Sequence, residues 1–212
     1  MTLPPAPQII AVGASAGGLK ALTDLFTSFP RSGRFAFVVV QHLSPHFKSV
    51  MRDLMEKVTS LAVVVAEDDM VIEVDTVYLN SPHSDLSVED GRLRILPWPE
   101  QATGPRFPID VLFRSLVAEV GDKAIAVVLS GTGSDGSRGM AEVHDAGGLT
   151  VVQRPDTAQF EGMPDAALRA TTCNLVLPPK EMGQALLGHL EDPVPATRSG
   201  VHHPLPLGAC SE

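Results

Sequence analysis

Three residues of the types that acyl transfer needs each follow an apolar run. Ser15 lies in Gly13-Ala14-Ser15-Ala16-Gly17 after the run 9–12, His42 follows the run 35–40, and Asp135 closes Ser130-Gly131-Thr132-Gly133-Ser134-Asp135 after the run 124–129. A hydroxyl, an imidazole and a carboxylate are a nucleophile, a general base and the group that orients that base. Each has a plainer reading. Gly-X-Ser-X-Gly is the pattern of a nucleophile elbow, a strained strand-to-helix turn with amides nearby for an oxyanion. The same letters approach a dinucleotide fingerprint, but Ser15 stands where the second glycine belongs and no acidic residue ends the second run. A serine in a glycine turn can also simply cap the next helix, and so can His42 or Asp135. The coincidence of all three at strand ends weighs against three independent caps.

The elements that must position them alternate. Continuous apolar runs at 9–12, 35–40, 61–66, 75–80, 124–129, 149–152 and 174–177 read as strands buried on both faces, without the alternation of a half-exposed strand. Helical spacing joins Leu19, Leu22, Leu25, Phe26 and Phe29 before Pro30, and recurs over 46–57, 110–120, 139–146, 164–170 and 180–190. This predicts an α/β fold with a doubly wound, mostly parallel, Rossmann-like sheet whose carboxyl strand ends carry the site. The stretch 86–96 alternates around Asp90-Gly91, a hairpin signal that predicts an antiparallel excursion at the edge of the sheet. Proline and polar residues over 97–108 predict a loop. Residues 1–8 read as a short lead, 9–191 as the domain, and 192–212 as a disordered tail or linker.

The 212 residues carry a formal charge of -9, which leaves no basic footprint for nucleic acid or anionic lipid. Two cysteines, Cys173 and Cys210, make no disulfide framework and fit a reducing compartment. Without a membrane-spanning run or a signal-peptide layout, the expectation is a cytoplasmic protein with no direct membrane insertion. Neither a metal nor an organic cofactor is expected, since no Cys/His cluster has ligand spacing.

The motifs Gly13-Ala-Ser15-Ala-Gly-Gly18, Val40-Gln-His42-Leu43, Asp110-Val-Leu-Phe113, Leu129-Ser-Gly-Thr-Gly-Ser-Asp135-Gly136, Gly139-Met140 and Gly162-Met-Pro164 together resemble the catalytic domain of the chemotaxis protein-glutamate methylesterases, the CheB family. The resemblance runs from about Ile9 to Leu190. It implies hydrolysis of glutamate γ-methyl esters, and deamidation of glutamines, on the cytoplasmic helices of methyl-accepting chemotaxis receptors. Ser15 would be the nucleophile, His42 the base and Asp135 its orienting partner, with backbone amides of Ala16 and Thr132 as the oxyanion hole. Ala16 and Thr132 replace a threonine and a methionine of familiar enteric members. Those members also carry a receiver domain before the esterase, for which residues 1–7 leave no room, so the resemblance is to stand-alone members or to fusions with methyltransferase and sensor domains. An open cleft with activity independent of phosphodonors is the expectation. The alternative is a silent binding or scaffold module that keeps the fold.

Overall fold

The computed structural model describes residues 6–27, 29–42, 50–99 and 104–191. Seven of the apolar runs become strands of one sheet, all paired in parallel: β1 (Gln8–Ala14), β2 (Phe35–Gln41), β3 (Ala62–Val65), β4 (Thr76–Leu79), β7 (Ile125–Val128), β8 (Leu149–Gln153) and β9 (Leu175–Leu177). Their order is β3-β4-β2-β1-β7-β8-β9. The chain winds outward from β1 in one direction and then returns to add β7 on its other side. β1 therefore stands at the point where the strand order reverses, the place where open α/β sheets bind ligands.

The apolar runs lack alternation because both faces of each central strand are covered. Ile10, Val12, Phe37 and Val39 pack with α1 (Gly18–Thr27), α2 (Val50–Val58) and α6 (Pro179–Glu191) on one face. Their neighbours Ile9, Ala11, Ala36 and Val38 pack on the other face with α3 (Pro108–Val120), α4 (Ser137–Asp145) and α5 (Gly162–Ala170). Each fully buried Val, Ile or Phe contributes roughly 1.5–3 kcal/mol, so the two layers together hold the strand ends rigidly.

The antiparallel hairpin is present, with β5 (Ser84–Glu89) and β6 (Arg92–Pro97) joined at Asp90-Gly91. Its place differs from the expectation. It forms a separate two-stranded sheet that lies against α3, where Leu86, Val88 and Leu93 enter the core below the main sheet. The Val88 and Gly91 amides donate to Ser115 Oγ and Glu119 on that helix, 3.0 and 2.7 Å. Alternation told which face of the hairpin is apolar, but not which surface it would cover.

The helix expected over 46–57 is seen from Val50, and residues 43–49 lie outside the described ones. Of the expected loop 97–108, Pro97 ends β6, Pro108 begins α3 and 100–103 are not described; nor is the tail 192–212. Among the described residues no helix is long and apolar enough to cross a membrane.

Candidate active site

The ends of β1, β2 and β7 converge on one rim of the sheet. The Ser15 amide donates to the Ser130 carbonyl (3.0 Å) and the His42 amide to the Ala14 carbonyl (3.2 Å), so the three strand ends are tied by backbone bonds just past their last paired residues. Ser15 and His42 are placed by that stitching. Their side chains then meet, with His42 Nδ1 3.1 Å from Ser15 Oγ and His42 Nε2 2.7 Å from Asp135 Oδ2. The structure thus brings together the three residues singled out by sequence.

Asp135 is 4% exposed and is hydrogen-bonded by His42 and by two backbone amides. Oδ2 accepts the Ile109 amide and Oδ1 the Asp110 amide, each at 3.1 Å, from the first turn of α3. That helix starts at Pro108, which has no amide to satisfy and whose ring pre-sets the helical φ. The free amides after it, with the positive end of the helix dipole, form a cradle for a carboxylate. Backbone N–H groups cannot accept, so the carboxylate accepts from all three neighbours and His42 carries its proton on Nε2. The lone pair is then on Nδ1, facing the Ser15 hydroxyl.

The serine turn needs its glycines for two different reasons. Gly17 sits at φ +71, and a Cβ there would also come 2.7 Å from Ser130 Oγ. Gly131 abuts the nucleophile: a Cβ on it would strike Met163 Sδ and come 2.9 Å from Ser15 Cβ. The two peptides beside Ser15 are held by their carbonyls. Ser15 C=O accepts from the Gly18 amide at 2.9 Å, and Gly131 C=O from the Met163 amide at 2.8 Å at the start of α5. In a trans peptide the N–H points opposite to the C=O. The Ala16 and Thr132 amides are therefore turned away from those anchors, and neither has a protein acceptor among the described residues.

Four supporting residues were not singled out as site residues from the sequence. Ser130 Oγ donates to Ala16 C=O (2.9 Å) and accepts the Phe160 amide (3.0 Å), locking two loops together. Asn80, 8% exposed, accepts the Gln41 amide on Oδ1 and donates from Nδ2 to the Gln41 carbonyl, fixing the residue before His42. Asp110 accepts the Gly139 amide at 2.8 Å, joining α3 to α4 behind Asp135. Burial pushes the Asp110 carboxyl above the ordinary range and the nearby Asp135 charge adds to this, opposed by the Gly139 bond. Ile109 gives Asp135 its amide, which no side-chain motif encodes. Polar residues at strand ends were the available signal for Ser130 and Asn80. Among the described residues no group of three or more His, Cys, Asp or Glu could hold a metal ion.

Comparison with known proteins gives the family and the fold. A family model described as CheB methylesterase matches residues 10–186. A putative protein-glutamate methylesterase/protein-glutamine glutaminase of Leptospira interrogans is 32% identical over 170 residues, 80% of this chain and 88% of that protein. The protein-glutamate methylesterase FrzG of Myxococcus xanthus is 33% identical over 185 residues, and there the chain spans 55% of the relative's length. It spans 12% of an uncharacterized 104.1 kDa protein of Rhodobacter capsulatus, to which it is 43% identical over 118 residues. The crystal structure of the Thermotoga maritima CheB methylesterase catalytic domain superposes with a TM-score of 0.77 at 26% identity, covering 87% of this chain and 99% of that one.

Proposed function

Because this chain belongs to the CheB methylesterase family and is a methylesterase domain, we propose that it hydrolyses γ-methyl esters of glutamate on the cytoplasmic helices of methyl-accepting chemotaxis receptors through Ser15, His42 and Asp135. The observation that carries the mechanism is the continuous path from Ser15 Oγ through His42 Nδ1 and Nε2 to Asp135 Oδ2, at 3.1 and 2.7 Å. It ends on a buried carboxylate already filled with donors.

Ser15 Oγ attacks the ester carbonyl carbon as its proton passes to His42 Nδ1. Asp135, fixed by the amides of α3, stabilises the imidazolium that forms. The carbonyl oxygen becomes an oxyanion within reach of the Ala16 and Thr132 amides, whose orientation costs nothing at the moment of reaction because their carbonyls are already anchored. When the tetrahedral intermediate collapses, the C–O bond to methoxide breaks and Nδ1–H protonates the leaving group as methanol. Water then attacks the acyl-serine, losing its proton to Nδ1. A second collapse returns that proton to Ser15 and releases glutamate. The same steps on a glutamine γ-amide release ammonia, which is the deamidation named for the Leptospira relative.

The family's substrates suit a site built on strand ends and open at a rim, since an ester on a helical protein surface must be reached by a shallow nucleophile. Methanol release from methylated receptor membranes tests the reading. Hydrolysis is expected with the intact chain, and Ser15→Ala should lower turnover by about 10⁶ while the protein stays folded. Retention of substantial hydrolysis by that variant would refute the nucleophile.

A further inference from the structure

The strand ends of β2 and β4 border a cavity of about 220 Å³ that has His42 in its wall and extends away from Ser15 toward Trp98 and Arg106. Gln41, Asn80, His83, Trp98 and Arg106 line it. It is smaller than the roughly 300–1,000 Å³ of pockets for drug-sized ligands, and fits one side chain. Its chemistry is set by Arg106. The guanidinium carbon lies 5.4 Å from the centroid of the Trp98 ring, and Trp98 Nε1–H donates to Asp85 Oδ1 at 2.8 Å, which fixes the indole beneath it. Half-buried Arg106 pairs with no carboxylate among the described residues. In a chain with 25 acidic and 16 basic residues, an arginine held on an aromatic face with no acidic partner among the described residues is suited to receive an anion.

Resting on the esterase reading, we propose that this cavity binds a free glutamate side chain of the substrate segment, near the ester that faces Ser15. The planar guanidinium suits a carboxylate, and a neutral glutamine there could not make the charged pair. A chain of net charge -9 otherwise repels an acidic segment, so Arg106 gives the substrate's charge a local compensation near the nucleophile. Each hydrolysis also converts a neutral ester into a carboxylate. The product of one turnover thereby becomes a recognition element for a neighbouring ester.

The test uses two helical peptides, each with one glutamate γ-methyl ester, flanked three and four residues away by glutamates in one and glutamines in the other. Binding to a Ser15→Ala protein is read from the fluorescence of Trp98, the only tryptophan. At low ionic strength the glutamate peptide should bind about tenfold more tightly, the factor that corresponds to ~1.4 kcal/mol. That ratio should shrink in high salt, fall to about one in Arg106→Gln, and be partly kept in Arg106→Lys. Equal affinity for both peptides, or a preference that survives in Arg106→Gln, would overturn the proposal. The salt series tests the same point with Arg106 in place. Failure of the esterase reading is seen separately, as no methanol from either peptide with Ser15 intact, and the binding ratio remains readable.

Discussion

Replacing Asp135 by asparagine separates what the carboxylate does for the ring from what it does for the charge. The amide can enter in two ways. With its oxygen at the Oδ2 position it keeps the bonds from His42 Nε2–H and the Ile109 amide, and its NH₂ faces the Asp110 amide. Turned over, it keeps the Asp110 bond and donates to His42, but opposes the Ile109 amide and moves the histidine proton to Nδ1. Each orientation leaves one buried N–H unmet, at a cost of about 1–3 kcal/mol in stability. The two tautomers are therefore comparable, and the wrong one removes a factor of only a few. The larger loss is electrostatic. The His42 side chain is 34% exposed, so a dielectric constant near 20 applies, and a unit charge pair centred roughly 4 Å apart is worth about 4 kcal/mol. That corresponds to about 10³ in rate, and with the tautomer term the loss reaches about 10³–10⁴. Methanol release at saturating substrate measures it, with urea unfolding as the companion. A loss under tenfold, with the stability drop present, would show that Asp135 does not support the base.

The crowding at Gly131 predicts that Gly131→Ala lowers turnover more than stability. The new methyl presses on Met163 and Ser15, with overpacking costing about 1–3 kcal/mol by urea unfolding; unchanged kinetics would refute the close approach. Asp110 is an acid raised above its ordinary 3.8 by burial, so its favourable contribution is present below that value and lost as pH rises through the folded one. Asp110→Asn stays neutral throughout, and its unfolding midpoint should gain on the parent as pH rises above about 4; parallel profiles would refute the assignment. Burial pushes the Cys173 thiol up to about 11, so at pH 8 it should resist iodoacetamide until the chain is unfolded, as read by peptide mass mapping. Rapid native labelling of Cys173 would contradict this.

Much of the layout was legible because it rests on composition and period. Unbroken apolar runs of strand length read as strands covered on both faces, as the central ones are, and the glycine-spaced motifs at their ends put Ser15, His42 and Asp135 on one rim. The parts that were not legible are made by backbone. Nothing in the letters Ile109 and Asp110 says that their amides hold Asp135, because any residue but proline supplies an amide. The same holds for Ala16 and Thr132, where side-chain identity is indifferent to the direction of the N–H. The hairpin was read at the wrong place for a related reason: its alternation fixes a wet and a dry face, while packing against α3 depends on contacts far apart in sequence. Arg106 and Trp98 drew no notice because a cation matters only once its lack of a partner is known.

The two layers of the fold contribute unequally to the site. The turn carrying Ser15 runs into α1 above the sheet, whereas the cradle for Asp135 is built from α3 and braced by α4 below it, and His42 bridges them from the end of β2. Loss of packing in one layer alone would leave a serine without its base, or a carboxylate without its ring. Esterase activity thus acts as a readout of complete assembly. Loss of turnover during gentle heating should report the failure of either layer before spectroscopy registers the loss of bulk helix.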